Sequence, residues 1–544
     1  MRRILLIFIS LIPLALAATV DVQIKTSNVD ATIRGQDLSY GYMFRGIPFA
    51  LPPIGKLRFM PAARQDPSGL INATAYGQKC IQGNTEGDED CLYLNVFTPR
   101  NATSDSKLPV WVWIFGGGFV EGSGGLPGES MYRNLINKGQ LIIVSFNYRV
   151  GPLGFLTTRT KDAPGNGGIS DAVEALNWVQ RYIGFFGGDP RRVTVGGHSA
   201  GSEATSFVSL SPKASGLYSQ LIQESGSAFG AAVMSYSDQT RDTSKQLAIK
   251  LGCATADEWN QGHSFYDIIA CLQSKQPKSI QTADGQLPNH RMKWAPVQDQ
   301  AYLPRRLEEL ALLRPPVPVL VGDVHDEWVG WDDYQVQHNL KWFTKTNVAT
   351  SIKDCYEMSY WDNKDAVVKA AIDHYVNNVN FDENDNVNWA ARHIQLFSEM
   401  VFIGPALRDA KYFAYTSSPV YLYSFDYLNP KAQPTQNNTK LRGVPHGYEL
   451  QFVFGYPEFH DDPVDIKLTE LMGNLWSNFV VYGDPTASIG LPTPFVWPKL
   501  QVGNVSEFVS IGATPSVGEQ FHPDANFWVC EGPKIDGRAG PICK

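Results

Sequence analysis

The stretch RRVTVGGHSAGSEATSFVSLSP, residues 191–212, places one serine between a strand-like run and a helix-like run. RRVTVGG (191–197) is typical of a short buried strand, and GSEATSFVSLSP (201–212) can continue as a helix until Pro212. Ser199 lies between them in the pattern Gly-x-Ser-x-Gly. A sharp strand-to-helix turn lifts such a hydroxyl above a sheet, and the helix N-terminus favours developing negative charge. A serine in an ordinary small-residue turn gives the same pattern, so the nucleophile hypothesis depends on the surrounding sequence.

The sequence before Ser199 predicts a parallel sheet. LPVWVWIF (108–115) and QLIIVSFNYR (140–149) are near-continuous hydrophobic runs, which are typical of strands buried on both faces. SDAVEALNWVQRYIGFFGGDP (170–190) is apolar at helical spacing and closes with Gly-Gly-Asp-Pro. Strand, helix and strand in succession indicate a βαβ unit.

The sequence after Ser199 continues this alternation. VPVLVGD (317–323) and PVYLYSFDY (419–427) predict further strands, and residues 386–410 predict helical structure between them. We find no repeat, low-complexity tract or Pro/Gly-rich linker that divides the chain. We therefore predict one large α/β domain, with a mostly parallel sheet flanked by helices and elaborated by long loops.

A serine nucleophile needs a base, and the base needs an orienting acid. In such sheets these groups lie beyond the carboxyl ends of strands. The candidate acids after the strand at 317–323 are Asp323, Asp326 and Glu327, and spacing does not choose among them. A solvated acidic turn is the alternative for at least two of them. His446 is the candidate base, because it lies on a Pro/Gly-flanked loop and completes the order serine, acid, histidine.

Three successive glycines follow the strand at 108–115. The segment GGGF (116–119) leaves backbone N–H groups unobstructed, so they can point at one oxygen. Donors of this kind stabilise the oxyanion that forms when a serine attacks a carbonyl carbon. A flexible glycine turn is the alternative interpretation.

The N-terminal sequence predicts export. MRRILLIFISLIPLALAA has two arginines, a short apolar run and the small-residue site Ala15-Leu16-Ala17, which together are typical of a signal peptide at residues 1–17. An uncleaved anchor is the alternative. No later segment holds eighteen apolar residues in a row, so we expect no membrane anchor in the mature chain, 18–544. The net charge of −8 and the absence of any Lys/Arg run argue against a nucleic-acid partner.

The seven cysteines are interpreted in the light of export, because an oxidising compartment favours disulfides over metal ligands. Proximity along the chain pairs six of them and leaves Cys355 over; the pairs are Cys80–Cys91, Cys253–Cys271 and Cys530–Cys543. Four N-glycosylation sequons are consistent with export, at Asn72, Asn101, Asn437 and Asn504.

Eight segments in order resemble the type-B carboxylesterases, a family of α/β-hydrolases that includes the cholinesterases and some fungal lipases. The segments are EDCLYLNVFTP (89–99), VWIFGGGF (112–119), NYRVGPLGFL (147–156), FFGGDP (185–190), GHSAG (197–201), DEW (326–328), GVPHGYELQFVFG (443–455) and WSNFVVYGDP (476–485). The resemblance spans nearly all of the mature chain.

The resemblance implies an α/β-hydrolase fold and a set of roles by position. Ser199 would be the nucleophile, Glu327 the acid and His446 the base. The oxyanion hole would come from the N–H groups of Gly117, Gly118 and Ala200. It selects Glu327 over the other two acids, supports the Cys80–Cys91 and Cys253–Cys271 disulfides, and implies no metal or organic cofactor.

The chain departs from the family pattern at three places. His198 stands where the family usually has glutamate, which weakens a choline-ester interpretation, and Trp328 stands where glycine usually follows the acidic pair. The loop between Cys80 and Cys91 is short and acidic, without a choline-stacking tryptophan or an apolar lid. The sequence thus predicts a secreted serine carboxylesterase acting on a small-molecule ester. The alternatives are a lipase or specialised ester hydrolase and, from another class, an inactive adhesion or ligand-binding relative.

Overall fold

The computed structural model describes residues 18–543 apart from short gaps, which are 84–85, 126–128, 231–238, 263–264, 289–292, 356–357, 359–360, 433–440, 457, 459–460, 502 and 504–505. The predicted signal peptide, residues 1–17, and the sequons at Asn437 and Asn504 lie outside the described residues. The other two sequon asparagines, Asn72 and Asn101, are exposed.

Thirteen strands of the described chain form one sheet. Their bounds are β1 Thr19–Lys25, β2 Asp30–Leu38, β3 Gly41–Pro48, β4 Gly69–Asn72, β5 Tyr93–Pro99, β6 Leu108–Ile114, β7 Ile142–Phe146, β8 Gly188–His198, β9 Gln220–Glu224, β10 Val319–Val324, β11 Val420–Phe425, β12 Phe508–Ile511 and β13 Ser516–Gly518. The spatial order is β1-β2-β3-β5-β7-β6-β8-β9-β10-β11-β12-β13, with β4 beside β2. Pairing is parallel from β7 to β12 and antiparallel along the rest of this order, while β4 pairs with β2 in parallel.

The central strands are buried on both faces, as their continuous apolar sequences predict. Alternate residues of β6 enter two different cores because side chains alternate along a strand. Val110, Val112 and Ile114 pack in one core, while Trp111 and Trp113 pack in the other. One strand therefore joins the two faces of the sheet, and it ends where the glycine segment begins.

Helices cover both faces of the sheet. Their bounds are α1 Glu129–Met131, α2 Asn137–Gly139, α3 Gly151–Phe155, α4 Gly167–Tyr182, α5 Ala200–Leu210, α6 Gln239–Lys250, α7 Ala256–Gln261, α8 Phe265–Ser274, α9 Pro277–Gly285, α10 Leu307–Ala311, α11 Val329–Asn339, α12 Lys345–Asp354, α13 Lys364–Ile372, α14 Asn386–Ser398, α15 Gly404–Tyr415, α16 Leu450–Phe454, α17 Pro463–Tyr482 and α18 Gly532–Ile535. Among the described residues, each helix is too short or too polar to cross a bilayer.

The observed elements confirm the predicted α/β class and most predicted positions. The apolar runs before and after the serine contain β6, β7, β10 and β11, while the run at 191–197 is part of the longer β8. The helix predicted in 170–190 is α4 followed by a 3₁₀ turn at Ile183–Phe186, and it ends at the predicted Gly-Gly-Asp-Pro segment, where β8 begins and pairs with β6 from Gly188. The helical region 386–410 is α14 and α15, joined by a π-helical turn at Glu399–Ile403.

Three disulfides form in the structure. They are Cys80–Cys91, Cys253–Cys271 and Cys530–Cys543, which are the predicted pairings. Cys355 is buried and belongs to none of them. Each disulfide closes a short loop, so it restricts the conformations of the unfolded chain only locally. The sheet topology is therefore determined by packing of the core.

A buried ion pair ties α5, β9 and α15 together. Arg314 donates to Asp409 Oδ1 at 2.6 Å, and both side chains are almost fully buried. The other oxygen, Asp409 Oδ2, accepts hydrogen bonds from Ser206 at 2.6 Å and from Gln223 and Ser227 at 3.2 Å. The carboxylate is thus fully hydrogen-bonded, which compensates its burial.

We expect Asp409→Ala to lower the free energy of unfolding by about 3–5 kcal/mol, because it leaves a buried guanidinium without its carboxylate. Urea unfolding followed by tryptophan fluorescence measures the change. Asp373→Ala is the matched control, since Asp373 pairs with Lys369 on the exposed surface and should contribute little. Equal losses in the two variants would contradict the prediction.

Candidate active site

The turn that carries Ser199 joins β8 to α5. Ser199 has φ 58° and ψ −130°, a conformation that L-residues rarely adopt, and its N–H donates to the carbonyl of Glu224 at 2.9 Å. A Cβ at Gly197 would lie 2.4 Å from the carbonyl oxygen of Ile114, and a Cβ at Gly201 would lie 2.1 Å from it. The two glycines of the motif are therefore required by the close approach of β6, and the serine takes the strained position between them.

The glycine segment after β6 turns sharply beside this serine. Gly117 and Gly118 have φ 120° and 59°, and a Cβ at Gly116 would lie 2.9 Å from the Cβ of Ser199. The carbonyl of Gly117 accepts the N–H groups of residues 120 and 121 at 3.0 and 3.1 Å, which fixes the turn. Gly117, Gly118 and Ala200, the three residues of the predicted oxyanion hole, line one cavity with Ser199.

His446 is hydrogen-bonded to one of the three candidate acids. Its Nδ1 lies 2.5 Å from Oε2 of Glu327, which is fully buried, and Oε1 of the same carboxyl accepts the N–H of Val324 at 2.9 Å. Because Nδ1 faces the carboxylate, the ring favours the tautomer whose Nε2 accepts a proton. His446 and Ser199 line the same cavity, which has a volume of about 620 Å³.

The structure distinguishes between the three candidate acids, which their spacing in the sequence could not. Asp326 does not contact the catalytic candidates but accepts the N–H of Val444 at 3.0 Å, two residues before His446. Asp323 is fully buried on β10, and within the described part of the chain neither of its oxygens has a hydrogen-bond partner. Burial and the charge of Glu327 raise the pKa of Asp323 well above its ordinary value. Glu327 alone of the three reaches His446.

Four buried carboxyl groups, Asp323, Glu224, Glu327 and Glu449, lie near one another, and burial raises the pKa of each. The pKa of Glu327 rises to about 8 through burial, while hydrogen bonds from Ser225 and the Val324 N–H oppose the rise. Burial and the charge of Glu327 also raise the pKa of Glu449 to about 8. The cluster therefore holds fewer charges than carboxyls. The positive charge that forms on His446 when it takes a proton favours ionised Glu327.

The sequence matches the carboxylesterase family over residues 20–528. It is 32% identical to the pyrethroid hydrolase Ces2a of Mus musculus over 505 residues, which cover 88% of this chain and 84% of that protein. It is 30% identical to carboxylesterase 1E of Mus musculus, with coverage of 89% and 88%. Acetylcholinesterase-1 of Trittame loki is 30% identical, with coverage of 92% of both chains.

The chain belongs to the carboxylesterase family. It is a carboxylic ester hydrolase with the α/β-hydrolase fold of that family. The predicted family resemblance, the fold class and the enzyme class are thereby confirmed.

This carboxylesterase has a neutral ring at position 198, where the resemblance predicts a glutamate. The His198 ring lies 4.4 Å from the His446 ring, and its Nε2 is 3.9 Å from Oε1 of Glu449. Burial, together with the positive charge of His446, lowers the pKa of His198 well below 6.5. The side chain fits because residue 447 is glycine with φ 78°, and a Cβ there would lie 3.1 Å from the His198 ring.

Two aromatic side chains of the cavity wall pack on His446. The ring centroids of Phe402 and Trp331 lie 4.7 and 5.2 Å from that of His446. Trp328, the second departure from the family pattern, does not line the cavity but packs on Trp331 at 5.1 Å and donates to Asp332 at 3.0 Å. Sequence analysis missed the wall residues, because they come from helices distant in sequence and carry no motif.

The loop between Cys80 and Cys91 has its one aliphatic residue turned inward. Ile81 is 2% exposed and packs in the main core. Gln82 exchanges two hydrogen bonds with the backbone of Gly122, at 2.7 and 2.8 Å, which ties the loop to the glycine segment. Glu89 forms a buried ion pair with Arg58 at 2.6 Å. In the described part of this loop, the aliphatic side chain is therefore buried and cannot contact a lipid surface.

The lowered pKa of His198 predicts how its replacement changes the pH profile. We expect His198→Glu to move the midpoint of kcat/KM to higher pH by about one unit, because a carboxylate beside His446 favours the protonated ring. His446 then becomes a competent base only at higher pH. His198→Gln should leave the midpoint in place, since one neutral group replaces another. Initial rates on a nitrophenyl ester between pH 5 and 9 measure both midpoints.

The glutamine variant is also the internal control. If His198 were charged at working pH, its removal would take a positive charge away from His446 and raise the midpoint in His198→Gln as well. A shift of about a unit in that variant would contradict the neutral assignment.

Proposed function

We propose that this carboxylesterase works through Ser199, His446 and Glu327, with a covalent acyl-enzyme intermediate. The observation that carries the proposal is the 2.5 Å hydrogen bond between His446 and Glu327 beside a cavity that Ser199 and His446 both line. A serine, a histidine and an orienting buried carboxylate are the three groups that such catalysis requires.

The reaction follows from these positions. Ser199 Oγ attacks the ester carbonyl carbon while His446 Nε2 removes its proton, and the oxyanion is stabilised by the N–H groups of Gly117, Gly118 and Ala200. Collapse expels the alcohol, which takes the proton from His446. Water then gives its proton to the same nitrogen and attacks the acyl carbon, and the acid is released with Ser199 restored.

We also propose that the mature chain, residues 18–544, is a single exported domain. Residues 1–17 of the sequence are typical of a signal peptide, three disulfides form, and the described sequons at Asn72 and Asn101 are exposed. One sheet takes strands from residue 19 to residue 518, which supports one domain.

The substrate is a small-molecule carboxylic ester, and we propose an esterase in preference to a lipase or a cholinesterase. The neutral His198 supplies no charge for a cationic alcohol. An inactive relative is disfavoured because serine, histidine and acid are all present at the positions that the chemistry needs.

Covalent labelling tests the nucleophile. A fluorophosphonate probe should label one residue, Ser199, in the peptide containing GGHSAGSEA. Ser199→Ala should abolish labelling and lower kcat by at least about 10³-fold, since the acyl-enzyme route is lost. Ser215→Ala, an exposed serine just beyond α5, is the matched control and should change neither. Full hydrolysis by purified Ser199→Ala would overturn the assignment.

Kinetics at an interface test esterase against lipase. A lid that opens at an oil–water interface needs an apolar underside, whereas Ile81 is packed in the core. We expect the rate on tributyrin to saturate below the solubility limit and to show no jump when an emulsion forms. A steep rise at that limit would favour the lipase alternative and another segment as its lid.

A further inference from the structure

His325 lies beside the two loops that carry Glu327 and His446, and the proposed reaction does not use it. It is the first residue after β10, and its N–H donates to the carbonyl of Phe425, the last residue of β11, at 3.1 Å. Its Nδ1 lies 3.1 Å from Oδ1 of Asp326. The ring is therefore placed at the carboxyl ends of β10 and β11, in contact with an acid that has its own task in the site.

Asp326 connects this ring to the loop of His446. While Oδ1 faces His325, Oδ2 accepts the N–H of Val444 at 3.0 Å. The backbone of the loop passes directly over the carboxyl group, since a Cβ at Gly443 would lie 2.6 Å from both the Cβ and the Cγ of Asp326. Val444 is 3% exposed and packs in a hydrophobic core. The carboxyl group thus fixes the loop two residues before His446.

The groups that face His325 favour its charged form. They are Asp326 in its own loop, Asp426 after β11, Glu399 in the π-helical turn after α14, and His522, whose ring lies 5.2 Å away. The hydrogen bond with Asp326 raises the pKa of His325 to about 9, and the charges of the three carboxyls act in the same direction against partial burial. Burial and the charge of His325 lower the pKa of His522 to about 3, so that ring is neutral. An imidazolium at His325 therefore faces three acids and no competing cation among these groups.

The charge of the ring determines how firmly Asp326 is oriented. A hydrogen bond from a charged donor to a carboxylate is about twice as strong as one between neutral groups. Because one oxygen of Asp326 faces the ring and the other binds the N–H of Val444, a weaker bond to the ring leaves the carboxyl freer to turn away from the loop. The side chain of His325 is 55% exposed, so its proton exchanges directly with solvent. The protonation state of one ring can thus reach the loop of His446 through a single carboxyl group.

We propose that His325 is a positioning residue that, as an imidazolium, orients Asp326 and thereby fixes the loop that carries His446. The inference rests on the proposed function above, since it takes His446 as the base. His325 itself does not line the cavity that holds Ser199. Its ring is charged at neutral and weakly alkaline pH, where a neutral His446 can act, and it loses its charge as the pH rises through about 9.

The alkaline side of the pH profile tests this role. The substrate is ethyl butyrate in a pH-stat, and kcat/KM is expressed per active site titrated with a fluorophosphonate. For the wild type it should rise to a plateau and then fall about fivefold near pH 9, to a second plateau, because the bond to Asp326 weakens without being lost. His325→Gln should be about fivefold less active than the wild type at pH 8 and should show no such fall.

Two further variants separate charge from shape. His325→Lys keeps a positive charge, so it should restore the activity at pH 8 and show no fall below about pH 10. In an Asp326→Asn background, His325→Gln should lower kcat/KM no further, because no carboxylate remains to be oriented. His338→Gln, which changes an exposed histidine on α11, is the matched control and should keep the wild-type profile.

A role of His325 in folding alone would lower activity equally at every pH and would not be rescued by lysine, which would overturn the positioning role. An undiminished effect of His325→Gln in the Asp326→Asn background would overturn it too, because His325 would then act by another route. With Ser199 still labelled by the fluorophosphonate, either result leaves the proposed function standing. Absence of labelling at Ser199, with no acid-side rise from His446 in the profile, would instead remove the proposed function and this inference with it.

Discussion

The hydrogen bond between Glu327 and His446 depends on the order of the strands more than on either loop. Glu327 follows β10 and His446 follows β11, and these strands are parallel neighbours. Their carboxyl ends therefore lie at one edge of the sheet, as do the ends of β6 and β8, which carry the glycine segment and Ser199. The loop of His446 is then fixed by a second contact, from the N–H of Val444 to Asp326. Adjacent acids of one loop thus perform different tasks, one orienting the ring and the other holding its backbone.

Much of this arrangement could be predicted from the sequence because it depends on local sequence patterns. The continuous apolar runs predicted β6, β7, β10 and β11, and the Gly-x-Ser-x-Gly pattern predicted the turn at Ser199. The choice of Glu327 over Asp323 and Asp326 could not be derived from spacing, since all three lie within five residues. It came from the family resemblance, and in the structure Glu327 is the one of the three that is hydrogen-bonded to His446.

Other features had no local signal. Strands β1 to β5 and the short central strand β9 lack long continuous apolar runs, so no strand was predicted for them. The cavity wall could not be predicted either. Trp331, Phe402, Gln281 and Lys293 come from segments far apart in the chain, and their meeting depends on tertiary packing. An aromatic or a lysine in such segments is indistinguishable in the sequence from a core or surface residue.

The neutral histidine at position 198 can be understood from the carboxyl groups around it. Glu224, Glu327 and Glu449 are all fully buried, and the charge of Glu327 already raises the pKa of Glu449. A glutamate at position 198 would bring a further carboxyl into this cluster. The His198 Nε2 now lies 3.9 Å from Oε1 of Glu449. Like charges this close disfavour joint ionisation, so a carboxylate at position 198 would require Glu449 to hold a proton. With an uncharged imidazole in that place, Glu327 faces fewer competing charges and keeps its hydrogen bond to His446. The histidine at position 198 therefore changes the wall of the cavity without adding a charge to the acid cluster.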